Sequence, residues 1–177
     1  DLELLHLSVT EKHLVGCDEV GHIVGAKISS GLEQAARDLA IQMMKGTGFQ
    51  RGVLHLEFKF VNNKAYLIEV AARVPGDNIT ALVESKYGIN LEYCLACLYC
   101  GKTVRAYIEQ AETKHGEFGI RYLYSDECIQ ATYDYTVAER VINAKDIPAL
   151  PPKELRPLKR VGYEFYCNLG QTETGLV

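Results

Sequence analysis

No apolar run in the 177 residues approaches the length of a membrane-spanning helix, and no stretch has the layout of a secretory signal. A spanning helix is therefore not expected, and neither is a membrane partner. Excess positive charge is missing as well. Lys and Arg number 19 against 23 Asp and Glu, for a net charge of −4, which removes the electrostatic footprint a nucleic-acid partner would require. The six cysteines (Cys17, Cys94, Cys97, Cys100, Cys128 and Cys167) are too thinly spread for a disulfide framework. A reducing, cytoplasmic setting with free thiols is the simpler expectation. Internal repeats and low-complexity tracts are absent, so a solenoid is excluded. What remains is ordinary for a globular protein, with 47% hydrophobic and 24% charged residues, in a length that suits one domain or a domain with a small extension. The chain starts at Asp1 rather than Met.

Leu2 to Val15 mixes apolar and polar residues as a strand does, and Gly16 to Ser30, with three glycines, reads as a loop or broken hairpin. Gly31 to Met44 predicts an amphipathic helix: Leu32, Ala35, Ala36, Leu39 and Met43 recur at steps of three and four, and Gly46 is a plausible stop. A hairpin follows. Gly52 to Phe60 alternates, Val61-Asn62-Asn63-Lys64 forms the polar tip, and Ala65 to Ala71 returns. Pro75-Gly76-Asp77-Asn78 breaks the pattern before a helix from Ile79 to Tyr87, which Gly88 ends. Asn90 opens a second helix from Leu91 to Tyr99, closed by Gly101. Beyond Thr103 the texture becomes β-rich, with strand-like runs at Phe118 to Tyr124, Cys128 to Val141 and Gly162 to Leu169. Ile147 to Pro157 holds four of the five prolines and is irregular.

The chemistry concentrates on the hairpin. Counted from the tip, Glu57 lies three residues behind Phe60 and Glu69 four residues beyond Ala65, so the two carboxylates are cross-strand neighbours, especially with a bulge. Two acids side by side repel, and a hard divalent cation with oxygen ligands removes that cost. Magnesium takes one or two carboxylates and leaves its other positions to water and phosphate oxygens, which suits a Mg-nucleotide site. Arg73, just past the strand end and before a helix start, is well placed to neutralise a transferring phosphoryl group. Each of these residues alone has an ordinary reading as a solvated surface charge. Their joint occurrence inside the apolar segments LHLEF and LIEVAA is what argues for a site.

Residues Gly52 to Leu91 resemble the C-terminal catalytic core of the ATP-grasp superfamily, which includes biotin carboxylase, D-alanine–D-alanine ligase and the L-amino-acid ligases. The family pattern is a strand with an acidic residue, a turn, a strand ending in Glu-x-Asn-x-Arg, a glycine-containing loop and a helix. The resemblance implies an α+β fold, an antiparallel sheet flanked by helices over residues 1–102, with a small β-rich appendage over residues 103–177. It implies that Glu57 and Glu69 are magnesium ligands, with manganese an acceptable substitute, and that Arg73 contacts the phosphates of ATP and the acyl-phosphate-like transition state. Gly76, Asp77 and Asn78 become candidate substrate contacts. Ala71 departs from the pattern where the family has Asn, which removes one oxygen donor and is the variant the amino-acid ligase branch tends to show. The first ATP-grasp subdomain, with its adenine pocket and phosphate lysine, has no counterpart here, so the chain is expected to be a fragment of a longer enzyme.

The implied activity is an ADP-forming, carboxylate–amine ligase working through an acyl phosphate. Its partners would be small-molecule carboxylate and amine substrates, with a homodimer as an option. The alternative is a non-catalytic nucleotide-binding or assembly module on the same fold. Intact Glu57, Glu69 and Arg73 argue against such decay. The Cys94-x-x-Cys97-x-x-Cys100 run has an iron–sulfur-like spacing, but apolar Leu91, Leu95 and Leu98 surround it and no fourth ligand follows closely. Small buried hydrophobes are the better reading. His55 reads as a strand residue near the site, and the remaining histidines have no zinc spacing.

Overall fold

A computed structural model describes residues 3–15, 18–62, 64–124, 136–142 and 160–168. Cys17, Cys128, the proline segment Ile147 to Pro157 and Leu169 lie outside the described residues. The fold is α+β, with helices and antiparallel sheets. The chain divides into two compact units, one of Asp1–Val9 with Ala26–Lys114, the other of Thr10–Gly25 with His115–Val177.

The first unit holds the helices and the hairpin. Helix α1 spans Ser30–Thr47. Ser29 caps it, its side chain accepting the Leu32 N–H at 3.3 Å, and Glu33 and Lys45 sit at the ends that the helix dipole favours for their charges. Ala36, Ala40 and Met44, four residues apart, form its buried stripe. The stop is Gly48, in the left-handed region at φ 68°, rather than Gly46, which stays helical. Strands β3 (His55–Val61) and β4 (Lys64–Ala71) pair antiparallel, and α1 packs against both. Val61 pairs with Lys64, so the tip tightens to two residues, and Asn62 takes φ 50° as primed hairpin turns require.

Helices α2 (Ile79–Tyr87) and α3 (Leu91–Tyr99) follow. The Asn90 side chain caps α3 by accepting the Tyr93 N–H at 2.7 Å, while its own backbone N–H donates to the Tyr107 hydroxyl at 2.9 Å. A short helix α4 (Arg105–Glu109), not expected from the sequence, completes the unit. Ile89, Cys94 and Val104 form a buried cluster with Leu98, Tyr107 and Ile108 around it. That cluster ties α4 to α3 within the first unit.

The second unit is a five-stranded antiparallel sheet in the order β1-β2-β5-β7-β6, built from Thr10–Val15, Asp18–Val24, Glu117–Tyr124, Arg160–Asn168 and Thr136–Ile142 respectively. Residues 18–24, read from the sequence as part of a loop or broken hairpin, form β2, which pairs antiparallel with β1 in an irregular hairpin and with β5 on its other side. Gly21 and Gly119 are strand residues for steric reasons. A Cβ at Gly21 would strike the Ile120 carbonyl, and one at Gly119 would enter the ring of its cross-strand neighbour Tyr166. Val20, Val24, Ile120 and Tyr122 are buried in this sheet. Glu164 is fully buried as well, and its carboxylate accepts from Arg121, its cross-strand partner, at 2.7 Å.

Candidate active site

The β3–β4 ladder positions the two acids. From the tip, Phe60 pairs with Ala65, Lys59 with Tyr66 and Phe58 with Leu67. The register then shifts by one residue between Glu57 and Phe58, and Glu57 stands opposite Glu69. Directly opposed residues share a face, with Cβ atoms about 4.5–5.5 Å apart. The carboxylates are thus neighbours on one side of the hairpin, Glu57 half-buried and Glu69 exposed. Like charges so placed destabilise a strand pair, and a hard cation reverses the sign of that interaction. Two carboxylates form an oxygen donor set of the kind that suits magnesium or manganese, ions that leave their other positions to water and phosphate oxygens.

Arg73 follows β4 by two residues, and its guanidinium donates to the Val74 carbonyl at 2.9 Å, which holds the side chain back along its own loop. Gly76 accepts the Ile79 N–H at 3.0 Å, closing the turn into α2. Asp77 and Asn78 both adopt positive φ, 54° and 58°. Successive left-handed non-glycine residues are uncommon, and such backbone strain concentrates at ligand-binding loops. Asn78 occupies the N-cap position of α2 but makes no side-chain cap bond, unlike Ser29 and Asn90. The Asn78 side chain thus does not serve as the acceptor at the start of α2, where the Ile79 N–H is taken by the Gly76 carbonyl instead.

The alternation read from the sequence puts His55 and Lys59 on the side of Glu57, and the register agrees, but Lys59 was not singled out as a candidate. Its signal was only the two-residue spacing from Glu57, which every strand offers. The paired positive φ values had no signal beyond the Asp-Asn composition. The three clustered cysteines run from buried Cys94 through half-buried Cys97 to exposed Cys100, and burial, then the neighbouring Cys97, pushes the Cys94 thiol up.

No protein-family model matches the chain, and no curated protein does. Solved structures do match. Phosphoribosylglycinamide synthetase from Anaerococcus prevotii superposes with a TM-score of 0.71 over 93% of this chain and 44% of its own, at 16% identity. The L-amino acid ligase from Bacillus licheniformis gives 0.66 over 93% and 45%, at 15% identity. The fold is that of ATP-grasp enzymes. A biotin carboxylase from Campylobacter jejuni, solved as a β-γ-ATP complex, matches this ATP-grasp fold with a TM-score of 0.59 over 89% of this chain and 36% of its own, at 13% identity. The chain spans less than half the length of each of these ATP-grasp structures.

Proposed function

We propose that this chain is the metal-binding, phosphate-facing part of an ATP-dependent carboxylate–amine ligase. The observation that carries the reading is the direct opposition of Glu57 and Glu69, followed four residues later by Arg73 and then by a turn into a helix with positive φ at Asp77 and Asn78. Bound magnesium would neutralise the phosphate charge of ATP, with manganese a substitute. Glu57 and Glu69 would hold that ion on the hairpin. Arg73 turns from the Val74 carbonyl to the transferring phosphoryl group, where a planar, permanently charged donor stabilises the equatorial oxygens. The turn at Gly76, Asp77 and Asn78 presents backbone donors to the substrate carboxylate. A carboxylate oxygen of the substrate takes the γ-phosphoryl group as the bond to ADP breaks; an amine then attacks the acyl carbon, phosphate leaves, and the amine's proton is lost to solvent as the C–N bond forms.

Several matched structures support the class. Their names include a synthetase and a ligase, and one was solved with a nucleotide. Ala71, in place of a third oxygen donor, favours the amino-acid ligase branch. The setting that fits is the cytoplasm, and among the described residues no helix is long and apolar enough to cross a membrane. The test is ADP release by the full-length protein, supplied with panels of carboxylates and amines. ADP should form only when both substrate types are present. Glu69→Gln should lower the rate by about 100-fold or more, on the scale of losing one preorganised electrostatic contact. Undiminished turnover in that variant contradicts the assignment.

A further inference from the structure

We infer that the β-bulge beside Glu57, which takes Ile68 out of the ladder, is what sets Glu57 and Glu69 on one outward face of the hairpin; this rests on the functional reading above. The argument is a count. An uninterrupted ladder from the tip would carry on from Phe58–Leu67 to Glu57–Ile68 and Leu56–Glu69. Paired residues share a face, and faces alternate along each strand. In that ladder Glu69 would fall on the side of Leu56, Phe58 and Phe60, the half-buried face of β3, away from Glu57. The observed pairs are Glu57–Glu69, Leu56–Val70 and His55–Ala71. Ile68 is the residue without a place in the ladder, and it stands 63% exposed, an unusual position for a large apolar side chain. With Ile68 present in β4, it is the bulge that brings Glu69 opposite Glu57 on the outward side.

The inference makes a parity prediction that ordinary destabilisation does not. One alanine inserted between Glu57 and Phe58 gives both strands an extra residue. The ladder becomes regular, Glu57 still pairs with Glu69, and both acids turn to the half-buried face. Deleting Ile68 also gives a regular ladder, but both acids stay outward. Combining the insertion with the deletion moves the bulge to β3 and again leaves both acids outward.

The experiment is calorimetric binding of ADP with and without Mn2+ to the full-length protein and these three variants, with circular dichroism and melting temperature as folding controls. The insertion alone should weaken the manganese-dependent part of binding by about 10–100-fold, the usual range for disturbing a metal's supporting groups. The Ile68 deletion should retain it, and the double variant should regain it. Retained binding in the folded insertion variant overturns the inference. So does a double variant that binds worse than the insertion alone, which is what a purely destabilising change predicts. Absence of manganese-dependent binding in the wild-type protein is a different failure, that of the functional reading itself.

Discussion

At the scale of single residues, chemistry and stability reside in different places. Glu57 and Glu69 bring like charges together at the candidate site, whereas Glu164 in the second unit is buried against Arg121 as a structural pair. His6 is the clearest titratable structural residue. It packs edge-on against Tyr87 at 4.9 Å, and burial, with a smaller contribution from the Arg37 charge, lowers its pKa below the usual 6.5. A lowered histidine pKa means that the unfolded chain takes up the proton first as pH falls. The stability His6 contributes is therefore complete above about pH 6.5 and is lost as pH falls from there through the folded-state value. Chemical denaturation between pH 8 and pH 5 should show this decline in the wild type. His6→Phe, which keeps the ring contact and cannot be protonated, should flatten it; an unchanged slope would show that other groups govern the acid limb.

At the scale of elements, local signals decide how much could be read in advance. Helix α1 begins where a serine caps it and ends where a glycine can adopt positive φ. Ser29→Ala should cost about 1 kcal/mol in equilibrium unfolding, the usual value for an N-cap hydroxyl. A loss indistinguishable from zero would mean the packing of Ala36, Ala40 and Met44 alone sets this helix end. The β3–β4 hairpin was legible because alternation and a polar tip coincide, and counting from the tip put the two acids side by side. Strand β2 was legible only as one of two readings, a loop or a broken hairpin. Its Gly21 looks like a loop residue in sequence, yet the glycine is there because β5 approaches too closely for a Cβ. Only the tertiary partner reveals that reason. Likewise Leu2 to Val15 looked continuous, but hydrogen-bonded pairing begins only at Thr10. Helix α4 is five residues long, too short to show a period, and its place is fixed by the cluster around Val104.

At the scale of the molecule, the two units carry different kinds of information. The first holds every residue proposed for the site: Glu57, Glu69, Arg73, Gly76, Asp77 and Asn78. The second is a sheet whose packing, from Gly119 under Tyr166 to buried Glu164, concerns its own stability. The match to ATP-grasp structures covers nearly the whole chain but less than half of those proteins, so the proposed activity is tested in the full-length protein. The most direct test of the central claim is calorimetric binding of ADP in the presence of Mg2+ or Mn2+, comparing wild type with Glu69→Gln. Metal-dependent binding that the substitution weakens by at least about tenfold, or 1.4 kcal/mol, is the predicted result. Equal, metal-independent affinities in the two proteins would contradict it.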